Sequence, residues 1–140
     1  MSNEFTLVSP AKAAEILSNN PNAVLMDVRS EMEFLMIGHA KGAINNPWID
    51  APDWEISKDF VARTRKILLG RHTGRDAGRV PLMLMCRSDN RSRDAAEQLV
   101  AQGIRDVFVV ENGFEGPLNE AHQRSTVAGW RFDGLPWEQC

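Results

Sequence analysis

Seven consecutive apolar residues, Val80-Pro81-Leu82-Met83-Leu84-Met85-Cys86, restrict the fold of this chain more than any other feature. A strand with no polar alternate positions is buried on both faces, as a central strand of a parallel sheet is when helices cover it. The run is far short of the ~20 residues that a membrane-spanning helix needs. Pro81 has no N–H to give to a ladder, so it belongs to the first residues of the strand. Beyond Cys86 the pattern changes. From Asn90 or Arg91 onward, Ala95, Ala96, Leu99 and Val100 share one helical face, and Gly103 stops the helix.

The same alternation recurs along the chain. Residues 24–28 and 107–110 read as buried strands, residues 5–8 as a first strand, and Ala43-Ile44 as a very short one. Ser9-Pro10 opens a helix: a hydroxyl serves the free backbone N–H groups, and a proline follows where no donor is missed. Ala13, Ile16 and Leu17 form its apolar face. Ser30 and Glu33 make a capping box for a helix carrying Phe34 and Ile37, which Gly38 ends. A further helix from Ser57 presents Phe60, Val61, Thr64, Ile67 and Leu68 on one side, with Gly70 past its end. The expected fold is therefore α/β, a central, mostly parallel sheet flanked by helices on both faces.

The 140 residues suit one domain spanning residues 1–140, able to bury roughly 68–70% of the surface of its unfolded chain. Residues 48–56 hold two tryptophans and two prolines and are expected to form a loop packed over the core. Residues 71–79, with Gly74 and Gly78 among Arg71, His72, Arg75 and Arg79, read as a solvated turn or a positive lip over a site. Trp130, Phe132, Leu135 and Trp137 make the tail too apolar to hang free, so it is expected to dock.

Sixteen basic and nineteen acidic side chains leave a net charge of −3, which argues against nucleic acid as a partner. Two cysteines 54 positions apart make neither a disulfide framework nor a metal knuckle, and His39, His72 and His122 lack zinc-site spacing. No metal and no membrane partner are expected. The first residues carry no basic and apolar secretory signal, so a reducing cytoplasm is the expected compartment.

The chemistry-bearing segment is Cys86-Arg87-Ser88-Asp89-Asn90-Arg91-Ser92-Arg93. Open α/β sheets bind ligands just beyond the C-terminal ends of their strands, where Cys86 falls. The short loop after it runs straight into a helix, so backbone N–H groups and the helix dipole converge on the sulfur. Arg87, Arg91 and Arg93 add positive charge and Asp89 subtracts some. Such surroundings can lower a cysteine pKa from ~8.5 to ~3.5–7.5. A pKa of about 6.5 would raise the thiolate fraction at pH 7 from roughly 3% to roughly 75%. The competing assignment for Cys86 is an inert, buried core thiol. Cys140, at the terminus, reads first as an incidental exposed thiol and otherwise as a resolving or second sulfur-carrying one.

The loop resembles that of the single-domain rhodanese-like sulfurtransferases. Their active loop is Cys-x-Ser-Gly-x-Arg-Ser; here it reads Cys86-Arg87-Ser88-Asp89-Asn90-Arg91-Ser92. The resemblance runs over nearly the whole chain. It includes Asp27-Val28-Arg29, Glu33-Phe34, Gly38-His39, Gly42-Ala43, Asn45 to Pro47, Gly113-Phe114-Glu115-Gly116, Gly129-Trp130 and Gly134-Leu135-Pro136-Trp137.

This resemblance implies a rhodanese-like domain in which Cys86 takes sulfane sulfur from a small anionic donor such as thiosulfate. Cys86 would hold the sulfur as a persulfide and pass it to a thiophilic acceptor: cyanide in a test assay, a thiol or sulfur-carrier protein in the cell. The loop from Arg87 to Arg91 would cradle the outer sulfur through backbone N–H groups. Ser88 and Arg91 would brace that loop, and Arg87 would meet the donor's charge. Asn90 and Ser92 complete the substrate loop, and Asp27, Arg29, Glu33 and His39 would hold the scaffold. No cofactor is implied, because the persulfide itself stores the sulfur.

Asp89 stands where the family usually has glycine; if the position needs positive φ, Asp is among the less costly substitutes. Two rival readings are a non-catalytic module for partner binding or sulfur presentation, and a phosphatase or arsenate reductase of related fold. The latter carry five residues between cysteine and arginine, whereas four separate Cys86 from Arg91.

Overall fold

The structure, a computed structural model, describes residues 4–71 and 80–139. The expectations for His72, for the basic loop beyond Arg71 and for Cys140 lie outside the described residues.

In chain order the first elements are β1 (Thr6–Val8), α1 (Pro10–Asn19), β2 (Val24–Asp27), a π-helical turn (Glu33–Ile37), β3 (His39–Ala40) and β4 (Ile44–Asn45). There follow β5 (Ile49–Asp50), β6 (Glu55–Ile56), α2 (Phe60–Leu69), β7 (Leu82–Met85), α3 (Asn90–Ala101), β8 (Val107–Val110) and β9 (Trp137–Glu138). Five strands build one parallel sheet in the order β1-β8-β7-β2-β4.

Side chains of the central strands divide between two apolar layers with the two-residue period of a strand. Val24, Met26, Leu82, Leu84, Val107 and Val109 face α2 and α3, packing with Phe60, Ala95, Ala96 and Leu99. Leu25, Met83, Met85 and Val110 face α1 and the C-terminal segment, packing with Ala13, Phe114 and Trp130. Helices cover both faces, which is why β7 carries no polar residue.

The anticipated signals at chain turns operate. The Ser9 hydroxyl accepts the Lys12 N–H at 3.1 Å and Pro10 occupies the first turn of α1. Thr64, on the inner face of α2, receives the Asn46 amide at 3.0 Å and donates to the Phe60 carbonyl at 2.9 Å. This fully buried hydroxyl thereby ties α2 to the end of β4.

Two expectations are corrected. Residues 48–56 are not a plain loop: β5 and β6 pair antiparallel, Ile49 opposite Ile56 and Asp50 opposite Glu55. Only one of the two tryptophans covers the core. Trp48 is buried edge-on against Phe60, whereas Trp54 is 59% exposed at the hairpin's turn. The second correction concerns the helix after Ser30. Its capping box forms, but the residues behind it make a π-helical turn that ends at Gly38 with φ 114°. There the Phe34 carbonyl pairs with the His39 ring at 2.8 Å, and that ring stacks on Phe34 at 3.8 Å.

The tail docks as anticipated. Trp130 is buried, its indole N–H donates to the Pro136 carbonyl at 2.8 Å, and β9 pairs antiparallel with β3. No helix among the described residues is long and apolar enough to cross a membrane.

Candidate active site

Strands β2 and β7 run in register, Val24 beside Leu82 through Asp27 beside Met85, so they end level with each other. Cys86 follows directly after β7, and the Val28 N–H donates to the Met85 carbonyl at 2.8 Å. Cys86 is thus held at the C-terminal edge of the sheet, 1% exposed, with α3 beginning at Asn90.

Two backbone N–H groups point at its sulfur: Asp89 at 3.1 Å and Ser92 at 3.4 Å. A buried sulfur carrying charge needs such donors, because burial without them favours the neutral form. One of these donors belongs to the loop expected to cradle an outer sulfur, residues 87–91; the other, Ser92, lies inside the first turn of α3. The Ser92 hydroxyl is itself fully buried and has no hydrogen-bond partner among the described residues.

The loop is fixed from its carbonyl side as well. The Cys86 carbonyl accepts the Phe114 N–H at 2.8 Å, and the Arg87 carbonyl accepts those of Glu115 and Gly116 at 3.0 and 3.1 Å. This contact is possible because residue 113 is glycine. Its φ is 57°, and a Cβ there would sit 2.3 Å from the Cys86 carbonyl oxygen.

The arginines divide into two kinds. Arg91 reaches Glu33 through two bonds of 2.7 and 3.0 Å, and Arg93 donates to Asp89 at 3.0 Å. Burial of the Glu33 carboxyl works to raise its pKa, but Arg91, with help from Ser30, overrides that and holds it down to about 2. Arg87 is exposed and, among the described residues, has no carboxylate partner. Asp89 offsets Arg93, as the sequence suggests, and Glu33 offsets Arg91 as well, so two of the three positive charges near Cys86 are matched by carboxylates. What remains at the sulfur is chiefly the N–H pair and the N-terminus of α3, whose dipole favours negative charge.

The other loop residues separate by role. The Ser88 side chain makes no hydrogen bond among the described residues, so the bracing assigned to Ser88 and Arg91 belongs to Arg91 alone. Asn90 is exposed at the start of α3. Asp89 adopts φ 111°, the positive value anticipated for a residue replacing glycine. Its carboxylate accepts Arg93 on one oxygen and the Asn112 N–H on the other, both at 3.0 Å.

Beneath the site, Asp27 and Arg29 form a fully buried pair at 2.7 Å, and the Arg29 guanidinium lies 4.7 Å over the Phe114 ring. Arg29 also stands 3.9 Å from Glu115, which in turn stands 3.9 Å from Arg131. Asp27 and Arg29 hold scaffold, as expected. The partnership of Glu33 with Arg91 was not legible, because its place in the capping box already accounts for that residue. No cluster of metal-ligating side chains occurs among the described residues.

Comparison with known proteins bears on the family and the fold. Residues 9–120 match the family model described as a rhodanese-like domain. An uncharacterised protein of Rickettsia rickettsii, the "RP600 homolog", is 28% identical over 131 residues, covering 94% of this chain and 95% of its own. The thiosulfate sulfurtransferase GlpE of Ectopseudomonas mendocina is 32% identical over 112 residues, covering 80% of this chain and 84% of its own. Among solved structures, that of Rv0390 from M. tuberculosis superimposes with a TM-score of 0.81 at 34% identity, covering 98% of this chain and 99% of that one.

Proposed function

This chain belongs to the rhodanese-like domain family, and on that premise we propose that it is a sulfurtransferase with Cys86 as its nucleophile. The observation that carries the reading is the pair of N–H groups, from Asp89 and Ser92, converging on the Cys86 sulfur at the head of α3.

In the proposed reaction the Cys86 thiolate attacks the outer sulfur of thiosulfate. A new S–S bond forms to Cys86, the S–S bond of thiosulfate breaks, and sulfite leaves with that bond's electron pair. The persulfide anion inherits the backbone donors and the helix N-terminus that served the thiolate. A nucleophilic acceptor, cyanide in the assay or a thiol in the cell, then attacks the outer sulfur and returns Cys86 to the thiolate. Splitting the transfer in this way stores the sulfur on the protein and calls for no cofactor. Arg87, exposed at the lip, offers a doubly anionic donor its first opposite charge. GlpE of E. mendocina, named as a thiosulfate sulfurtransferase, supports the choice of donor.

The test is intact mass after incubating the reduced protein with thiosulfate, with Cys86→Ser and Cys140→Ser variants alongside. One added sulfur atom in wild type and Cys140→Ser, absent from Cys86→Ser, is the expected result. No Cys86-dependent gain from thiosulfate or from glutathione persulfide would overturn the assignment and leave a non-catalytic binding module.

A further inference from the structure

Position 89 is where the chain departs from the glycine of the related loop, and the structure places that residue at the junction of three elements. The backbone of Asp89 belongs to the active loop and its N–H is 3.1 Å from the Cys86 sulfur. One carboxylate oxygen reaches Arg93, a full turn into α3. The other accepts the N–H of Asn112, in the turn after β8. That turn is the one whose next residue, Gly113, lies against the Cys86 carbonyl.

We propose that Asp89 is a positioning residue for Cys86: its carboxylate clamps the active loop to α3 and to the turn at Asn112, and so keeps its own N–H on the sulfur. The inference rests on the sulfurtransferase reading for its consequence in turnover, but the clamp itself concerns only the state of the thiol. Physically, a non-glycine residue at φ 111° pays a steric cost that must be met by surrounding contacts. Two 3.0 Å bonds to groups from separate elements supply them. Glycine at this position would reach the same φ freely but would hold it only loosely. The side chain thus replaces freedom with fixation, and the beneficiary is a donor aimed at sulfur.

This role and a purely electrostatic one predict opposite signs. The charged groups disposed around the sulfur are the exposed Arg87, Arg91 with its partner Glu33 and Arg93 with its partner Asp89; Asp27 and Glu111 act in turn on the latter two arginines. As a charge alone, Asp89 disfavours the thiolate, so its removal would increase thiolate. As a clamp, its removal loosens a donor to sulfur and decreases thiolate.

The experiment titrates thiolate by its ultraviolet absorbance in a Cys140→Ser background, leaving Cys86 as the single thiol. Asp89→Gly is free of backbone strain, and Asp89→Asn keeps size and a positive-φ tendency while giving up the Arg93 ion pair. Both are expected to move the midpoint upward, Gly by more than Asn. Each full unit of that shift is about a tenfold loss of thiolate below the midpoint. First-turnover persulfide formation should slow in the same order, with the fall in kcat and not a rise in KM for thiosulfate. A downward or unchanged midpoint in both variants overturns the clamp. If thiosulfate loads no sulfur onto any of these proteins, the sulfurtransferase reading fails separately, and the titration still decides what Asp89 does.

Discussion

Glu33 serves two partners with one carboxyl group. It closes the capping box with Ser30 and receives both bonds from Arg91, the residue that anchors the far end of the active loop. Its pKa, about 2 against an ordinary 4.5, sets a pH window. A depressed carboxyl stabilises the fold above the unfolded value and loses that contribution as pH falls through the folded one. Glu33→Gln is accordingly expected to cost roughly 1–3 kcal/mol near neutrality, where it leaves the half-buried Arg91 charge without its carboxylate. Urea unfolding at a series of pH values should show the gap to wild type closing as pH drops from 4.5 toward 2. A gap that stays constant through that range would mean the pair adds no pH-dependent stability. Ser92 presents the reverse case, a buried hydroxyl with no hydrogen-bond partner among the described residues.

At the scale of elements, the loop after β7 is shaped as much by the turn after β8 as by its own sequence. Phe114, Glu115 and Gly116 donate to the carbonyls of Cys86 and Arg87, which leaves the opposite, N–H side of the loop free to face sulfur. Gly113 is the point of closest approach. In Gly113→Ala the new Cβ would collide with the backbone of Cys86 and Arg87, which cannot swing aside as a flexible side chain would. The expected cost is about 1–3 kcal/mol in urea unfolding, together with loss of Cys86-dependent sulfur loading. Wild-type behaviour on both counts would show that the turn can retreat without disturbing the loop. The service of this turn to a loop more than twenty residues upstream was not readable from the sequence.

Across the whole molecule, the tail closes the face of the sheet that α1 leaves uncovered. Trp130 fills that space at 2% exposure, whereas Phe132 is 49% exposed. The two aromatics look equivalent in sequence and should behave very differently. Trp130→Ala is expected to cost about 3–5 kcal/mol, as a large core truncation does. Phe132→Ala should stay within about 0.5 kcal/mol, as an exposed substitution does. Thermal or urea unfolding of the two variants gives the comparison. Equal losses would place Phe132 in a packed environment that its exposure does not indicate.

Features that depend on neighbours along the chain are legible in the amino-acid sequence. Strand burial follows from unbroken apolar runs such as residues 80–86, helix starts from Ser9-Pro10 and the Ser30–Glu33 box, and the strand-loop-helix setting of Cys86 from the change of period after it. These are short-range effects of propensity, capping and hydrophobic pattern. Tertiary structure decided what depends on which distant groups meet. It chose Trp48 over Trp54 for the core, bent the residues after Ser30 into a π-helical turn, and matched Arg91 with a carboxylate 58 residues away. Periodicity tells a charged side chain which way to face but not what it will find there. Whether Arg91 and Arg93 act as free charges or as struts was therefore fixed only when Glu33 and Asp89 were brought beside them.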